Sequence, residues 1–381
     1  MSRLVLVRVS KRFVGPAGEG VHALREVSLA VEDGELVVLV GPSGSGKTTL
    51  LRLIAGLETP TAGEVLVDGQ VVNDRPAQAR DVAMVFQHHA LYPHLTVREN
   101  LALPLKLRRL PRAERDRRVR ETAELLDLTP VLERRPAAIS GGERQRAALG
   151  RALVRQPKLL LLDEPLSDLD TPLRRRLRWE IQQLQARLGV TTLYVTHDQA
   201  EATAFGRRLI VLRQGAVQQI GSAQELYDRP ANVFVAEFLG PAPMNLFRGR
   251  LERRGQQLAF AAEPGAATRS GQALDWTFDA DAAAQGSAWA GREVILGLRP
   301  DDVTVLGTGT DPASAARLRA TVEHSESIGR ASYVYCCAAG MRIAAWFASG
   351  DPPPPGSEVG LALHLARAHF FDPATGRRLD G

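Results

Sequence analysis

Glycine, hydroxyl residues and one lysine crowd into Gly41, Pro42, Ser43, Gly44, Ser45, Gly46, Lys47, Thr48 and Thr49, a run that satisfies the spacing G-x-x-x-x-G-K-[ST]. Such a loop suits phosphate. Glycines let successive backbone N–H groups turn inward around the oxygens, and a helix starting just behind adds positive potential. Lys47 is then placed to reach β- and γ-phosphates, and the Thr48 hydroxyl to ligate Mg²⁺. A second group lies at 159–164, where four leucines run into Asp163 and Glu164. A strand of that apolarity is buried and delivers both acids to one end of a sheet. Asp163 would hold Mg²⁺ through water, and Glu164, pointing elsewhere, would orient or deprotonate an attacking water. Two adjacent acids in isolation read as a solvated loop; beside a phosphate loop they read as the hydrolytic half of a nucleotide site.

The elements that must position these residues are legible from periodicity. Strand-length apolar runs at 36–40, 82–86, 159–162, 192–195 and 209–212 alternate with helix-length segments up to about residue 235, which reads as α/β with a buried, mainly parallel sheet. The phosphate loop falls between the run 36–40 and a helix at 48–56. Residues 97–155 carry helical spacing and hardly any strand signal, the pattern of an inserted helical subdomain. From 236 to 381 the pattern becomes all-β: alternating segments at 246–251, 293–298, 331–338, 341–348 and 358–365, separated by Gly, Pro and Asp clusters, most simply a small barrel. The tetraproline at 352–355 reads as a rigid loop between strands. The stretch 253–291 is Ala- and Gly-rich and reads weakly as strand. The expected domains are therefore 1–235 and 236–381.

Directly before the acid-bearing run stand Ile139, Ser140, Gly141, Gly142 and Glu143. Alone, they are a loop and a helix start, with Ser140 near the N-cap and Glu143 favourable in the first turn. Joined to the phosphate loop and the acid pair, they resemble the signature sequence of the ABC ATPases, usually Leu-Ser-Gly-Gly-Gln, with Ile139 in place of Leu and Glu143 in place of Gln. The resemblance implies that Ser140, Gly141 and Gly142, with Glu143 beside them, bind the γ-phosphate of an ATP held by a second protomer in a head-to-tail dimer. It further implies that Gln87, after the run 82–86, ligates Mg²⁺ and contacts the attacking water. His197, after the run 192–195, would bridge the γ-phosphate and the catalytic base Glu164. Residues 167–170, ending at Asp170, resemble the loop that crosses the dimer interface. Phe13 resembles the aromatic that stacks on adenine and reads equally well as a core phenylalanine.

Beyond the ATPase motifs, residues 87–100 resemble the surface of importer subunits that receives a coupling helix from a membrane permease. The pieces 240–247, 297–302, 322–329 and 371–376 resemble the OB-fold extension of maltose-importer ATP-binding subunits. The resemblance implies an ATPase energising import of a carbohydrate or glycerol phosphate. Its partners would be integral-membrane permease subunits, a second copy of itself or a homologous ATPase, and, indirectly, a substrate-binding protein. Polyamine, sulfate and ferric-ion importers use similar extensions, and soluble ABC ATPases acting on nucleic acid form a third class.

Composition narrows this. The chain has 381 residues, 44% hydrophobic and 24% charged, ordinary for a globular protein and unlike disordered or fibrous chains. No run approaches the 18 or more apolar residues of a membrane span, and the adjacent Cys336 and Cys337 cannot build a disulfide framework. The expected location is cytoplasmic, on the inner face of the cell membrane through the permease. The net charge of +5 is uneven: residues 236–381 hold 14 basic and 16 acidic side chains, whereas 106–120 alone hold eight basic and two acidic. The barrel is thus a poor nucleic-acid surface. The basic cluster reads as a solvated helix face or as a surface attracted to anionic lipid headgroups.

Overall fold

Two antiparallel strands, β1 (Leu4–Val14) and β2 (Gly20–Val31), pair from Leu4 opposite Val31 to Val14 opposite Gly20, with register shifts between Leu6 and Arg12. The structure, a computed structural model, describes residues 3–15, 19–86, 91–167, 169–205, 207–255, 257–262, 275–278, 286–306, 316–329, 331–348 and 350–379. After β3 (Leu36–Val40) and helix α1 (Lys47–Ala55), strands β4 (Ala62–Val67) and β5 (Gln70–Val71) complete a four-stranded antiparallel sheet in the order β2-β1-β4-β5. The apolar periodicity used above does not mark this sheet, because its strands bury one face and mix charge into the other.

The second sheet holds the apolar runs. It consists of β6 (Val82–Val85), β7 (Leu159–Asp163), β8 (Thr191–Thr196), β9 (Leu209–Arg213) and β10 (Ala216–Gly221) together with β3, in the order β10-β9-β3-β8-β7-β6. All pairs are parallel except β9–β10. Every residue of β7 and β8 is buried, as a parallel sheet covered on both faces requires.

Between β6 and β7 come three helices, α2 (Val97–Leu107), α3 (Arg112–Leu125) and α4 (Gly141–Leu153), and no strand among the described residues. Thr96 caps α2 in a reciprocal box with Glu99, and Ser140 does the same for α4 with Glu143. At Gly150 a Cβ would stand 2.8 Å from Leu101 and 2.9 Å from Leu126, so the missing side chain lets α4 lie close against its neighbours. Helix α3 buries only Val119, Thr122 and Ala123. Its arginines are partly spent on its own acids: Arg117 pairs with Glu114 and Glu121, and Arg118 with Glu114. After β7 come α5 (Thr171–Leu188) and, after β8, α6 (Gln199–Phe205).

The chain separates into two compact units, Met1–Ala223 and Gln224–Gly381. The division falls ahead of the boundary read at 235. The helices α7 (Ala223–Asp228) and α8 (Val233–Phe238) explain why. The buried Arg299 guanidinium donates to the carbonyls of Tyr227, Ala236 and Leu239 at 2.7 Å each, which ties both helices to the second unit.

That unit is more than one small barrel. Strands β11 (Asn245–Arg254), β12 (Gln257–Ala262), β13 (Asp275–Thr277), β14 (Glu293–Leu298) and β20 (His369–Phe371) form an antiparallel sheet, order β13-β12-β11-β14-β20. Strands β15 (Val303–Leu306), β16 (Ala316–Ile328), β17 (Ala331–Ala338), β18 (Met341–Phe347) and β19 (Glu358–Leu363) close into a five-stranded barrel, order β15-β18-β17-β16-β19, sealed by β15 against β19. Five strands closed in this way match the size of an OB barrel. One apolar core containing Phe247, Phe260, Val334 and Leu361 serves sheet and barrel together. No helix among the described residues is long and apolar enough to cross a membrane.

Candidate nucleotide site

Backbone geometry fixes the phosphate loop before any side chain acts. Gly46 adopts φ +105° just ahead of α1, and a Cβ there would meet the Ala23 carbonyl oxygen at 2.5 Å. Only glycine fits, and the turn it allows starts α1 at Lys47 with its free N–H groups facing the loop. Pro42, Ser43, Gly44 and Thr48 are exposed, Gly46 and Thr49 half-buried, and Gly41, Ser45 and Lys47 buried. The Ser45 hydroxyl has no hydrogen-bond partner, an unfilled valence of the kind a phosphate oxygen satisfies.

Lys47 is 5% exposed and donates to the Gly41 and Pro42 carbonyls at 2.8 and 3.0 Å. Burial lowers its pKa against the opposing pull of Glu164 and Asp163. Its Nζ lies 4.0 Å from Glu164 Oε1. Across the loop, Thr48 Oγ1 donates to Asp163 Oδ1 at 3.3 Å, and burial raises the Asp163 pKa in spite of that bond. A hydroxyl and a carboxylate this close form a hard-oxygen pair suited to Mg²⁺, which takes one or two carboxylates and completes its shell with phosphates and water. Among the described residues no group of three or more His, Cys, Asp or Glu is placed to hold a metal ion by itself.

Glu164 leaves the end of β7 at φ +46°, a conformation residues with side chains rarely adopt. Its N–H donates to the Val195 carbonyl at 3.0 Å, and its own carbonyl accepts from Ser167 Oγ at 3.0 Å. This turn aims the carboxylate at two groups: Lys47 on one side and, on the other, His197, whose Nδ1 lies 2.8 Å from Glu164 Oε2. Strands β3, β7 and β8 are adjacent in the sheet, so the three parallel strand ends bring Lys47, Thr48, Asp163, Glu164 and His197 together.

The remaining sequence candidates divide. Gln87 and Asp168 lie outside the described residues. Phe13 is 41% exposed on β1 with the Lys11 ammonium 4.8 Å from its ring centroid, so it is an accessible aromatic and not a core residue. Asp170 caps α5, accepting from the Leu173 N–H at 2.9 Å. Ser140 is exposed and caps α4. Its Oγ accepts from the Glu143 N–H at 3.3 Å and donates to the Glu143 carboxylate at 2.8 Å, and the same carboxylate accepts from the Ser140 N–H at 2.7 Å. These bonds hold the Glu143 pKa below the usual carboxylate range. Gly141 and Gly142 face Leu169 and Leu173.

Sequence reasoning missed the group behind His197. Glu201 is buried and accepts from Thr196 Oγ1 at 2.8 Å and Tyr194 OH at 3.1 Å. Arg174 bonds Asp198 at 3.1 Å. The available signal was Asp198 following His197 directly, but nothing in spacing pairs it with an arginine on another helix.

Comparison with known proteins gives the family. Residues 24–167 match the ABC transporter family and residues 296–371 the TOBE domain. The chain is 45% identical over 386 residues to the trehalose/maltose import ATP-binding protein MalK of Thermococcus litoralis, covering all of both. It is 43% identical over 380 residues to the sn-glycerol-3-phosphate import ATP-binding protein UgpC of Chromobacterium violaceum, covering 100% of this chain and 97% of that one. The fold is similar, with TM-score 0.52 and 35% identity, to a dimeric ATP-binding cassette in a post-hydrolysis state bound to ADP and Pi; the match covers 57% of this chain and 98% of that one. With likeness of this degree along its whole length, the chain belongs to the ABC transporter family, as an ATP-binding, ATP-hydrolysing subunit of the import type.

Proposed function

We propose that the chain energises import of a carbohydrate or a glycerol phosphate, through ATP-driven closure of a head-to-tail pair of these subunits beneath a membrane permease. The observation that carries the ATPase half is the shared carboxylate of Glu164, 4.0 Å from Lys47 and 2.8 Å from His197. The cargo class follows the names of relatives that match end to end.

In this reading the Gly41–Gly46 backbone and Lys47 hold the β- and γ-phosphates, and Phe13 offers its exposed face to adenine. Thr48 and Asp163, with Gln87, would hold Mg²⁺, which when bound would supply positive charge against the phosphates. Glu164 takes the proton of the attacking water, and His197 holds that carboxylate in place. Ser140, Gly141 and Gly142 present a hydroxyl and helix N-terminal N–H groups to the partner's ATP. Cargo selection belongs to the permease and a substrate-binding protein.

Glu164→Gln keeps the side chain's shape and removes the base. ATP binding should persist while hydrolysis falls about a thousandfold; wild-type turnover in that variant would refute Glu164 as the essential base. The cargo is tested by uptake of maltose, trehalose or sn-glycerol 3-phosphate in cells with and without the chain.

A further inference from the structure

Glu164 is held at a backbone conformation that its own side chain disfavours, and such conformations persist only where surrounding contacts over-determine them. One line of contacts leads from Glu164 through Ser167 to a residue outside the motifs. Arg174, in the first turns of α5, donates from one terminal nitrogen to the carbonyls of Leu169 at 2.9 Å and Ser167 at 3.4 Å. Ser167 in turn donates its hydroxyl to the Glu164 carbonyl at 3.0 Å. The other terminal nitrogen donates to Asp198 Oδ2 at 3.1 Å, and Nε lies 3.8 Å from Glu201 Oε1.

Asp198 follows His197, and its N–H donates to Thr196 Oγ1 at 2.9 Å. Glu201 is anchored on the same Thr196 hydroxyl and on Tyr194. One guanidinium therefore spans the turn after β7, which carries Glu164, and the turn after β8, which carries His197. A cavity of about 30 Å³ lies among Glu164, His197 and Arg174.

We infer that Arg174 is a positioning residue: its planar fork clamps the loop following Glu164 to the loop following His197 and so sets the contact between those two side chains. The inference rests on the reading of Glu164 as base and His197 as its holder. A planar fork suits the task because it bonds two carbonyls and a carboxylate in fixed directions, whereas an ammonium is a single point of charge.

The test is steady-state ATP hydrolysis by the full chain, with rates expressed per chain competent to bind ATP, so that loss of folded protein does not imitate the effect. Arg174→Gln should lower kcat about fiftyfold with KM for ATP within about twofold of wild type, since the phosphate loop is untouched. Arg174→Lys should lower kcat about tenfold, keeping the charge opposite Asp198 but losing the bond to Leu169. Asp198→Asn keeps the oxygen that accepts the Ala200 and Glu201 N–H groups and should lower kcat to about the level of Arg174→Gln. The double variant should be no slower than either single one, as expected of residues acting through one contact.

The inference is overturned if kcat of Arg174→Gln stays within about threefold of wild type, if lysine restores full rate, or if the two losses multiply. Glu164→Gln, measured alongside, separates the failures. Full activity there removes the reading of the base itself, whereas an inactive Glu164→Gln beside active Arg174 variants removes only the clamp.

Discussion

Buried polar side chains of the second unit and those around the phosphate loop are arranged to opposite effect. In the second unit they close on one another. Arg299 gives its terminal N–H groups to three carbonyls, leaving only Nε without a partner. Asp301 accepts from the hydroxyls of Tyr227 at 2.6 Å and Tyr333 at 2.8 Å, and Asn245 exchanges two bonds with the backbone of Ala344 at 2.9 and 2.7 Å. Around the phosphate loop the same kinds of group stay open. Ser45 Oγ is bare, Lys47 faces neutral carbonyls with its nearest carboxylate at 4.0 Å, and Asp163 holds a 3.3 Å bond to Thr48. An unfilled buried donor or acceptor costs about 1–3 kcal/mol, so the bare Ser45 hydroxyl, beside a lysine bonded only to neutral carbonyls, marks the place where a ligand completes the structure. Closed groups should therefore matter to stability, and open ones to turnover.

Lys47→Met is the strongest attempt to break that contrast. Hydrolysis should fall about a thousandfold with the loss of the charge at the phosphates, while urea unfolding of the nucleotide-free chain should show stability unchanged or slightly raised. A large stability loss would place Lys47 with the closed groups. Arg299→Met inverts the expectation. Three carbonyls lose their donor, so the second unit should unfold more easily by about 3–5 kcal/mol, read by denaturant titration, with ATP affinity little changed. Stability within about 1 kcal/mol of wild type would show that the Tyr227, Ala236 and Leu239 carbonyls find other partners and that the network is not a closure at all.

The same contrast explains what the sequence disclosed. Parallel strands buried on both faces leave unbroken apolar runs, so β3, β7, β8 and β9 and the acids at the end of β7 could be read directly. The phosphate loop is legible because its chemistry is contiguous in sequence. Strand β12 and the short β13 and β15 are not, since alanines and three- to six-residue lengths carry little alternation. The Ser140–Glu143 pair reads as a helix cap and, by resemblance, as a ligand contact. In the structure its capping bonds occupy the hydroxyl that the resemblance assigns to the partner's ATP. Arg174 and Asp198 stand 24 residues apart, and their pairing exists only once α5 folds back along the sheet, so no motif announces it.

The smallest effect sharpens the contrast most, because it separates stability from function within one residue. Burial raises the Asp163 pKa, so the folded chain holds that proton more tightly than the unfolded chain does. The associated stability is fully present below the ordinary carboxylate range and is lost as pH rises through the folded-state pKa. At neutral pH the ionised carboxylate is therefore a net cost to the nucleotide-free protein. Asp163→Asn retains an oxygen for the Thr48 hydroxyl and removes the charge. It should raise stability by about 1 kcal/mol near pH 7, measured by urea unfolding in chelator, while Mg²⁺-dependent hydrolysis collapses. The gain over wild type should shrink as pH falls through the folded-state pKa and Asp163 takes up its proton. A variant less stable than wild type at neutral pH would mean that Asp163 is a closed group, held by its neighbours and not waiting on the ion and nucleotide.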